Sequence, residues 1–226
     1  MKLKERLFSY HNPNSLVNKA RRKRFEHFQK CLSNLPIQRP ISILDIGGTY
    51  SYWKSVGLLD PGRYQITLLN LNQSRLPDQT SGFISDEGDA RSEKINLAQY
   101  DVIFSNSVIE HMGSFEAMKQ LADRIRSSGK PYYLQTPSRW FPLEPHCHIP
   151  FFQFLPRWLR AGLIWHFRIN YFPRGHNYQD CLHVSDSTIL LYKKQIQRLF
   201  PEADIMVEQL AGLPKSYTAF AGFINP

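Results

Sequence analysis

From residue 41 onward, apolar residues fall into short runs separated by polar or helical stretches: Ile41 to Ile46, Tyr64 to Leu69, Gly82 to Ser85, Tyr100 to Ser105 and Pro131 to Gln135. Such runs, bounded by turn residues, predict buried strands. Between the last two, Phe115, Met118, Leu121, Ala122 and Ile125 share one face of a helix predicted over Ser114 to Ser128, with Gly129 as its stop. Strands alternating with helices imply parallel pairing through right-handed crossovers. Further on, the pattern predicts a helix near Ser185 to Phe200, a strand near Asp204 to Gln209 and a last strand near Tyr217 to Ile224. The expected fold class is α/β, a seven-stranded, mostly parallel sheet with flanking helices and an antiparallel last strand.

Two stretches stand outside this alternation. Residues 1–40 read as an N-terminal helical extension and linker: a helix from about Ser15 to Leu32, with Leu16, Ala20, Phe25, Phe28 and Leu32 as its inner face, then the Pro-containing Leu35 to Pro40. Residues 41–226 form the main domain, and within it residues 137–178 are rich in Pro, Trp, Phe and His without a clean period, a candidate insertion or lid. A chain of 226 residues with 42% hydrophobic content supports one well-buried core. No apolar run approaches the roughly 20 residues of a membrane span, and the start lacks a signal-like stretch, so a cytoplasmic protein is expected. Three widely spaced cysteines, Cys31, Cys147 and Cys181, fit a reducing compartment.

The formal charge of +9 adds a question about partners. Arg21, Arg22, Lys23 and Arg24 cluster in the N-terminal helix, either as a solvated face or as a dock for a polyanion such as RNA. Phe151 to Arg168 interleaves aromatics with arginines, which suits the core of a lid or a peripheral contact with lipid headgroups.

Candidate chemistry begins at Asp45-Ile46-Gly47-Gly48-Thr49, where an apolar strand ends in adjacent glycines. Glycines let the backbone turn tightly and approach a ligand at the carboxyl end of a strand, where α/β sheets bind nucleotide-like cofactors. Thr49 and Tyr52 occupy the later glycine places of a dinucleotide fingerprint, which argues against NAD. The second strand ends at Asn70, where a ribose-reading side chain is expected in this topology. Gly88-Asp89-Ala90-Arg91 follows the third strand, and the fourth leads into Asn106-Ser107-Val108-Ile109-Glu110-His111.

The order and spacing of these segments resemble the class I S-adenosylmethionine (SAM) methyltransferases, in particular a broad type-11-like group of small bacterial enzymes with ubiquinone- and sugar-methylating members. The resemblance covers about Ile41 to Thr136 well and the remainder loosely. It implies a Rossmann-like fold and SAM as cofactor, with Asp45, Gly47 and Gly48 at the methionine end, Asn70 on the ribose hydroxyls, Asp89 on the adenine amino group with Ala90 beside the ring, and Asn106 and Ser107 near the sulfonium. The chain departs from the family pattern at Thr49 and Ser51, where glycines are usual, and at Asn70, where Asp or Glu is usual.

Methyl transfer is an in-line displacement that asks for alignment and exclusion of water. It requires no metal, and none is expected; a zinc set of His146, His148, Cys181 and His183 lacks the usual tight cysteine spacing. A hydroxyl acceptor would be served by a general base, for which His146 and His111 are the candidates. The segment Thr136-Pro137-Ser138-Arg139-Trp140, together with Glu144-Pro145-His146, is similar to bacterial methyltransferases of surface glycans and lipid-linked sugars, which implies a small-molecule or lipid-linked acceptor. Lys215-Ser216-Tyr217 is a further candidate contact for it. The leading expectation is a SAM-dependent O-methyltransferase. The alternatives are an RNA-directed methyltransferase, although the Asn-Pro-Pro-aromatic motif of many base-amino methylating enzymes is absent after the fourth strand, and a non-catalytic SAM-binding module.

Overall fold

The computed structural model describes residues 16–57, 60–73, 75–77, 80–167, 169, 172 and 177–224, with side chains from residue 21 onward. The helix start expected at Ser15 and the inner-face side chains of Leu16 and Ala20 lie outside that set. The elements run α1 (Leu16–Ser33), β1 (Ile41–Ile46), α2 (Tyr50–Val56), β2 (Tyr64–Asn70), β3 (Phe83–Glu87), β4 (Val102–Asn106), α3 (Phe115–Ser127), β5 (Tyr132–Pro137), α4 (Arg157–His166), α5 (Tyr178–Asp186), α6 (Lys193–Leu199), β6 (Asp204–Leu210) and β7 (Leu213–Ala221). The strands form one seven-stranded sheet in the order β3-β2-β1-β4-β5-β7-β6. Strand β1 pairs in parallel with both β2 and β4, and β2 pairs in parallel with β3. The turn from β6 to its neighbour β7 carries Ala211 and Gly212, both at positive φ (51° and 77°), the backbone that a tight antiparallel hairpin requires.

By contacts the chain divides into two compact units, the first comprising the described residues of 1–106, 124–134 and 220–226, the second those of 107–123 and 135–219. In unit 1, β1 is an interior strand buried on both faces, which is why its apolar residues are nearly continuous: Ile41, Ile43, Leu44 and Ile46 are all buried. Helix α1 packs into the same core. The Phe28 ring lies 4.8 Å from Phe104 and 5.0 Å from Tyr133, and Phe25 meets Trp53 edge-on at 6.1 Å. Each such burial contributes about 2 kcal/mol. In the linker, the Arg39 guanidinium makes two 2.7 Å bonds to the Asp101 carboxylate. The basic cluster does not form one face, since Arg22 and Lys23 are exposed whereas Arg24 is buried.

In unit 2 a separate apolar cluster joins Cys147, Phe152, Ala161, Ile164, Ile169 and Cys181. It organises the stretch that showed no period. Ala161 and Ile164 of α4 face inward, while Trp158 and Trp165 of the same helix are exposed, as are Trp140, Phe151, Phe154 and Phe167. The helix expected over Ser185 to Phe200 is two helices, α5 and α6. Between them the chain extends so that Leu190 and Leu191 are both buried and Leu191 bridges Ser138, a pairing that a continuous helix could not give to adjacent residues. The last strand is Leu213–Ala221, set earlier than expected because the Ala211-Gly212 turn leads directly into it.

Candidate functional site

In unit 1 the parallel register aligns the carboxyl ends of β1, β2 and β3. Ile46 lies opposite Leu69, and Asn70 opposite Glu87. The chain leaves each strand still bonded to its neighbour, the Gly47 amide donating to the Leu69 carbonyl and the Gly88 amide to the Asn70 carbonyl, each at 2.8 Å. Gly47, Gly48, Asn70, Asp89 and Ala90 are thereby brought to one sheet edge. Gly47 turns at φ 70°. Gly48 is required for another reason: a Cβ there would sit 1.8 Å from Oδ2 of Asp45.

The Asp45 carboxyl therefore lies beneath the turn and is 1% exposed. Its Oδ2 accepts from the indole N–H of the fully buried Trp53 at 2.7 Å, and its Oδ1 is buried without a hydrogen-bond partner among the described residues. Burial pushes its pKa up to about 8, against the opposing effect of the Trp53 bond. Asp45 shapes the turn from below. Asn70 shapes it from the side, its amide N–H donating to the Gly48 carbonyl at 2.9 Å, which leaves the amide oxygen to accept from a hydroxyl. Thr49 caps α2, accepting from the Tyr52 amide at 3.3 Å, so the residue in a usual glycine place serves the helix start.

Asp89 is half-buried and takes the Arg91 guanidinium at 2.7 Å, a bond that holds its carboxyl below the ordinary range. Ala90 is buried, and its carbonyl accepts from Arg124 at 3.1 Å. Asn106 is half-buried at the end of β4. These groups fit an adenosyl ligand in kind: close backbone approach at Gly47, an acceptor at Asn70, and a carboxylate at Asp89 able to receive an exocyclic amine.

Unit 2 begins with Ser107, held at φ 58°, whose hydroxyl donates to Oε1 of Gln135 at 3.0 Å. One turn of 3-10 helix, Ile109–His111, then presents two groups. Glu110 is fully buried; its Oε2 accepts from the Thr136 hydroxyl at 2.9 Å, and its Oε1 has no hydrogen-bond partner among the described residues. Burial pushes the Glu110 pKa up to about 7. His111 is exposed as a residue, with its ring Nδ1 3.4 Å from the Thr188 hydroxyl, and partial burial of the ring and the nearby His146 lower its pKa.

Opposite stands His146. The buried Glu144 carboxylate accepts from the ring Nδ1 at 2.7 Å and from the backbone amides of His146 and Cys147 at 2.7 and 2.6 Å. Burial alone would raise the Glu144 pKa and lower that of His146. Their ion pair and hydrogen bonds reverse both, so Glu144 is lowered and His146 raised. The two Nε2 atoms of His146 and His111 face each other at 3.2 Å with the rings at 83°.

Both histidines singled out from sequence thus converge. Sequence reasoning missed Glu110, Thr136, Glu144 and Thr188, although adjacency in Glu110-His111 and the short spacing of Glu144 to His146 carried a signal. Cys181 of the considered zinc set is buried in the apolar cluster instead. The Lys215 ammonium pairs with Glu208 at 2.6 Å, and the Tyr217 hydroxyl accepts from Ser138 at 2.9 Å, both within the sheet and not at a strand entrance.

No family model matches the sequence, and no curated protein matches it. Solved structures do. The chain is similar to the CurJ carbon methyltransferase, with a TM-score of 0.55 and 15% identity over 96% of this chain and 60% of that one. It is also similar to the citrinin polyketide synthase CMeT domain, with a TM-score of 0.52 and 12% identity over 88% of this chain and 51% of that one. The chain therefore spans only 60% and 51% of the length of these structures. At such identity the likeness is one of fold, a seven-stranded α/β sheet with flanking helices that this chain shares with two methyltransferase structures.

Proposed function

We propose that the protein binds SAM at the unit 1 sheet edge and transfers its methyl group to a hydroxyl of a small or lipid-linked acceptor, a glycan among the candidates. The observation that carries this is the convergence of Gly47, Asn70 and Asp89 at the aligned ends of three consecutive parallel strands, on a methyltransferase fold. Bound there, SAM supplies an electrophilic methyl group on a sulfonium. The Gly47 turn takes the methionine end, the Asn70 amide oxygen accepts from a ribose hydroxyl, and Asp89 accepts from the adenine amino group beside Ala90. Asn106, at the end of β4, is the unit 1 residue assigned to the sulfonium end.

In unit 2, His146 is the proton acceptor for a hydroxyl. Its Nδ1–H is committed to Glu144, which fixes the tautomer with the lone pair on Nε2 and stabilises the imidazolium formed when Nε2 takes a proton. His111 faces that nitrogen and is the second candidate. The exposed Trp158, Trp165 and Phe167, with exposed Arg157 nearby in sequence, support a peripheral contact with lipid, the setting of a lipid-linked acceptor. Among the described residues no helix is long and apolar enough to cross a membrane.

The test has two steps. Calorimetry of the purified chain with SAM or its demethylated product should show stoichiometric binding, weakened about tenfold or more by Asp89→Ala. Labelled SAM incubated with fractionated extract should then mark lipid or polysaccharide. Label in RNA would support the RNA-directed alternative, and binding without label in any fraction would support a non-catalytic module.

A further inference from the structure

Around Glu110, His111 and His146 the structure holds more than a base and its partner. One carboxylate oxygen of Glu110 and one ring nitrogen of each histidine lie within 4.8 Å of one another. We infer that these three side chains form a binding site for a divalent transition metal, zinc by preference, with two imidazoles and one carboxylate as ligands.

Four observations converge on it. First, the Nε2 atoms stand 3.2 Å apart. A zinc ion about 2.0–2.1 Å from each nitrogen in tetrahedral geometry separates them by about 3.3 Å. Second, the Nδ1–H of His146 is given to Glu144. A carboxylate behind a histidine is the arrangement that fixes a metal-ligating ring and raises its basicity. Third, Glu110 is fully buried, with Oε2 taken by Thr136 and Oε1 without a hydrogen-bond partner among the described residues. A buried carboxylate oxygen with no donor is a costly feature in a folded chain, and coordination to a cation removes the cost. Fourth, the donor set is two neutral nitrogens and one anionic oxygen. That set suits zinc and its neighbours better than magnesium or calcium, and three protein ligands leave a position for water or an acceptor oxygen. The rim is open, since His111 is exposed, so an ion can enter.

The site deepens the proposed function, because an ion at the two Nε2 atoms would take over from His146 the task of acidifying a hydroxyl; the binding itself depends on no assumption about SAM. The competing state is a histidine pair that shares a single proton and takes no metal.

The chain, stripped with a chelator and dialysed, is titrated with zinc in competition with a chromophoric chelator, and separately with cobalt(II). The expected result is one zinc per chain and a visible cobalt spectrum of a four- or five-coordinate site. Glu110→Gln keeps the Thr136 bond and the shape but removes the anionic ligand, so it should weaken zinc at least tenfold. His111→Ala and His146→Ala should each weaken it a hundredfold or more. Glu144→Gln, which keeps one oxygen for the backbone amides of His146 and Cys147 and removes the carboxylate oxygen behind the His146 ring, should weaken it ten- to a hundredfold. His148→Ala and His183→Ala should leave it unchanged. Circular dichroism melts accompany every variant, and Glu110→Gln decides where an alanine variant fails to fold. Absence of stoichiometric zinc, or zinc retained at full affinity by Glu110→Gln and His146→Ala, overturns the site. Neither result bears on SAM calorimetry, so the two proposals fail separately.

Discussion

At the unit 1 edge the groups that would meet a ligand are main-chain turns and small side chains, with Asp89 and its Arg91 partner the one charged exception named there, whereas in unit 2 they are ionisable side chains packed close together. The edge is a feature of backbone shape: Gly48 is compelled by what lies beneath it, and Asn70 ties the turn down with an amide. The unit 2 cluster is a feature of charge, with two buried carboxylates, Glu110 and Glu144, both acting on His146. A backbone site tolerates changes of charge and fails on added volume. A charge site tolerates changes of volume and fails on a lost proton or ligand.

The largest effect is expected at His146. His146→Ala should reduce label transfer about a thousandfold, or about 4 kcal/mol of transition-state stabilisation, while SAM affinity from calorimetry stays within twofold. Equal losses in both would mean that the division is false. Next comes Gly48→Ala, whose methyl group would meet the Asp45 carboxylate at 1.8 Å. Urea unfolding should show a loss of about 3 kcal/mol or more, with SAM binding abolished. Gly57 is the control. It also has positive φ, 92°, but a Cβ there meets nothing within 4 Å, so Gly57→Ala should cost about 1 kcal/mol.

A smaller effect sharpens the role of Asp45. Its carboxyl titrates near 3.8 when unfolded and is pushed up to about 8 in the fold. Between those values the folded chain holds a proton that the unfolded chain has released, so stability falls as pH rises through that window. Asp45→Asn keeps an acceptor for the Trp53 N–H and removes the titration. Against the wild type, the variant should gain on the order of 2 kcal/mol between pH 5 and pH 6.5. Parallel urea midpoints across that range would show that Asp45 is ionised and that something other than burial governs it.

The same contrast explains what could be read from sequence. Strand β1 and its glycines were legible because burial on both sides imposes a continuous apolar run, and a strand end followed by Gly47-Gly48 has few other uses. The aromatic inner face of α1 was legible for a similar reason, since Phe25, Phe28 and Leu32 recur at helical spacing and are all buried. Glu110 and Glu144 were not, because a carboxylate in sequence reads as solvated and only long-range packing against Thr136 and the Cys147 amide reveals otherwise. Trp53 escaped notice too. Nothing local marks it as the donor to a buried Asp45. The break between α5 and α6 was hidden because Leu190 and Leu191 also satisfy a helical face; their extended geometry comes from the bridge to Ser138.

Asn70 gives the smallest and most discriminating test. The family resemblance would place Asp or Glu there, so Asn70→Asp restores the usual residue and offers a charged acceptor to a ribose hydroxyl. In this chain, however, the amide N–H is already spent on the Gly48 carbonyl. A carboxylate at that point would set two acceptors against each other at 2.9 Å. The gain of a charge-assisted bond to the ligand, about 1–2 kcal/mol, is then opposed by a loosened turn of similar cost. Asn70→Asp should therefore lower stability by about 1 kcal/mol and leave SAM affinity within about threefold. Asn70→Ala, which loses both bonds and gains neither, should weaken SAM by five- to tenfold. If Asn70→Asp instead tightens SAM tenfold without loss of stability, the Gly48 tie is dispensable and the edge reads its ligand by charge after all.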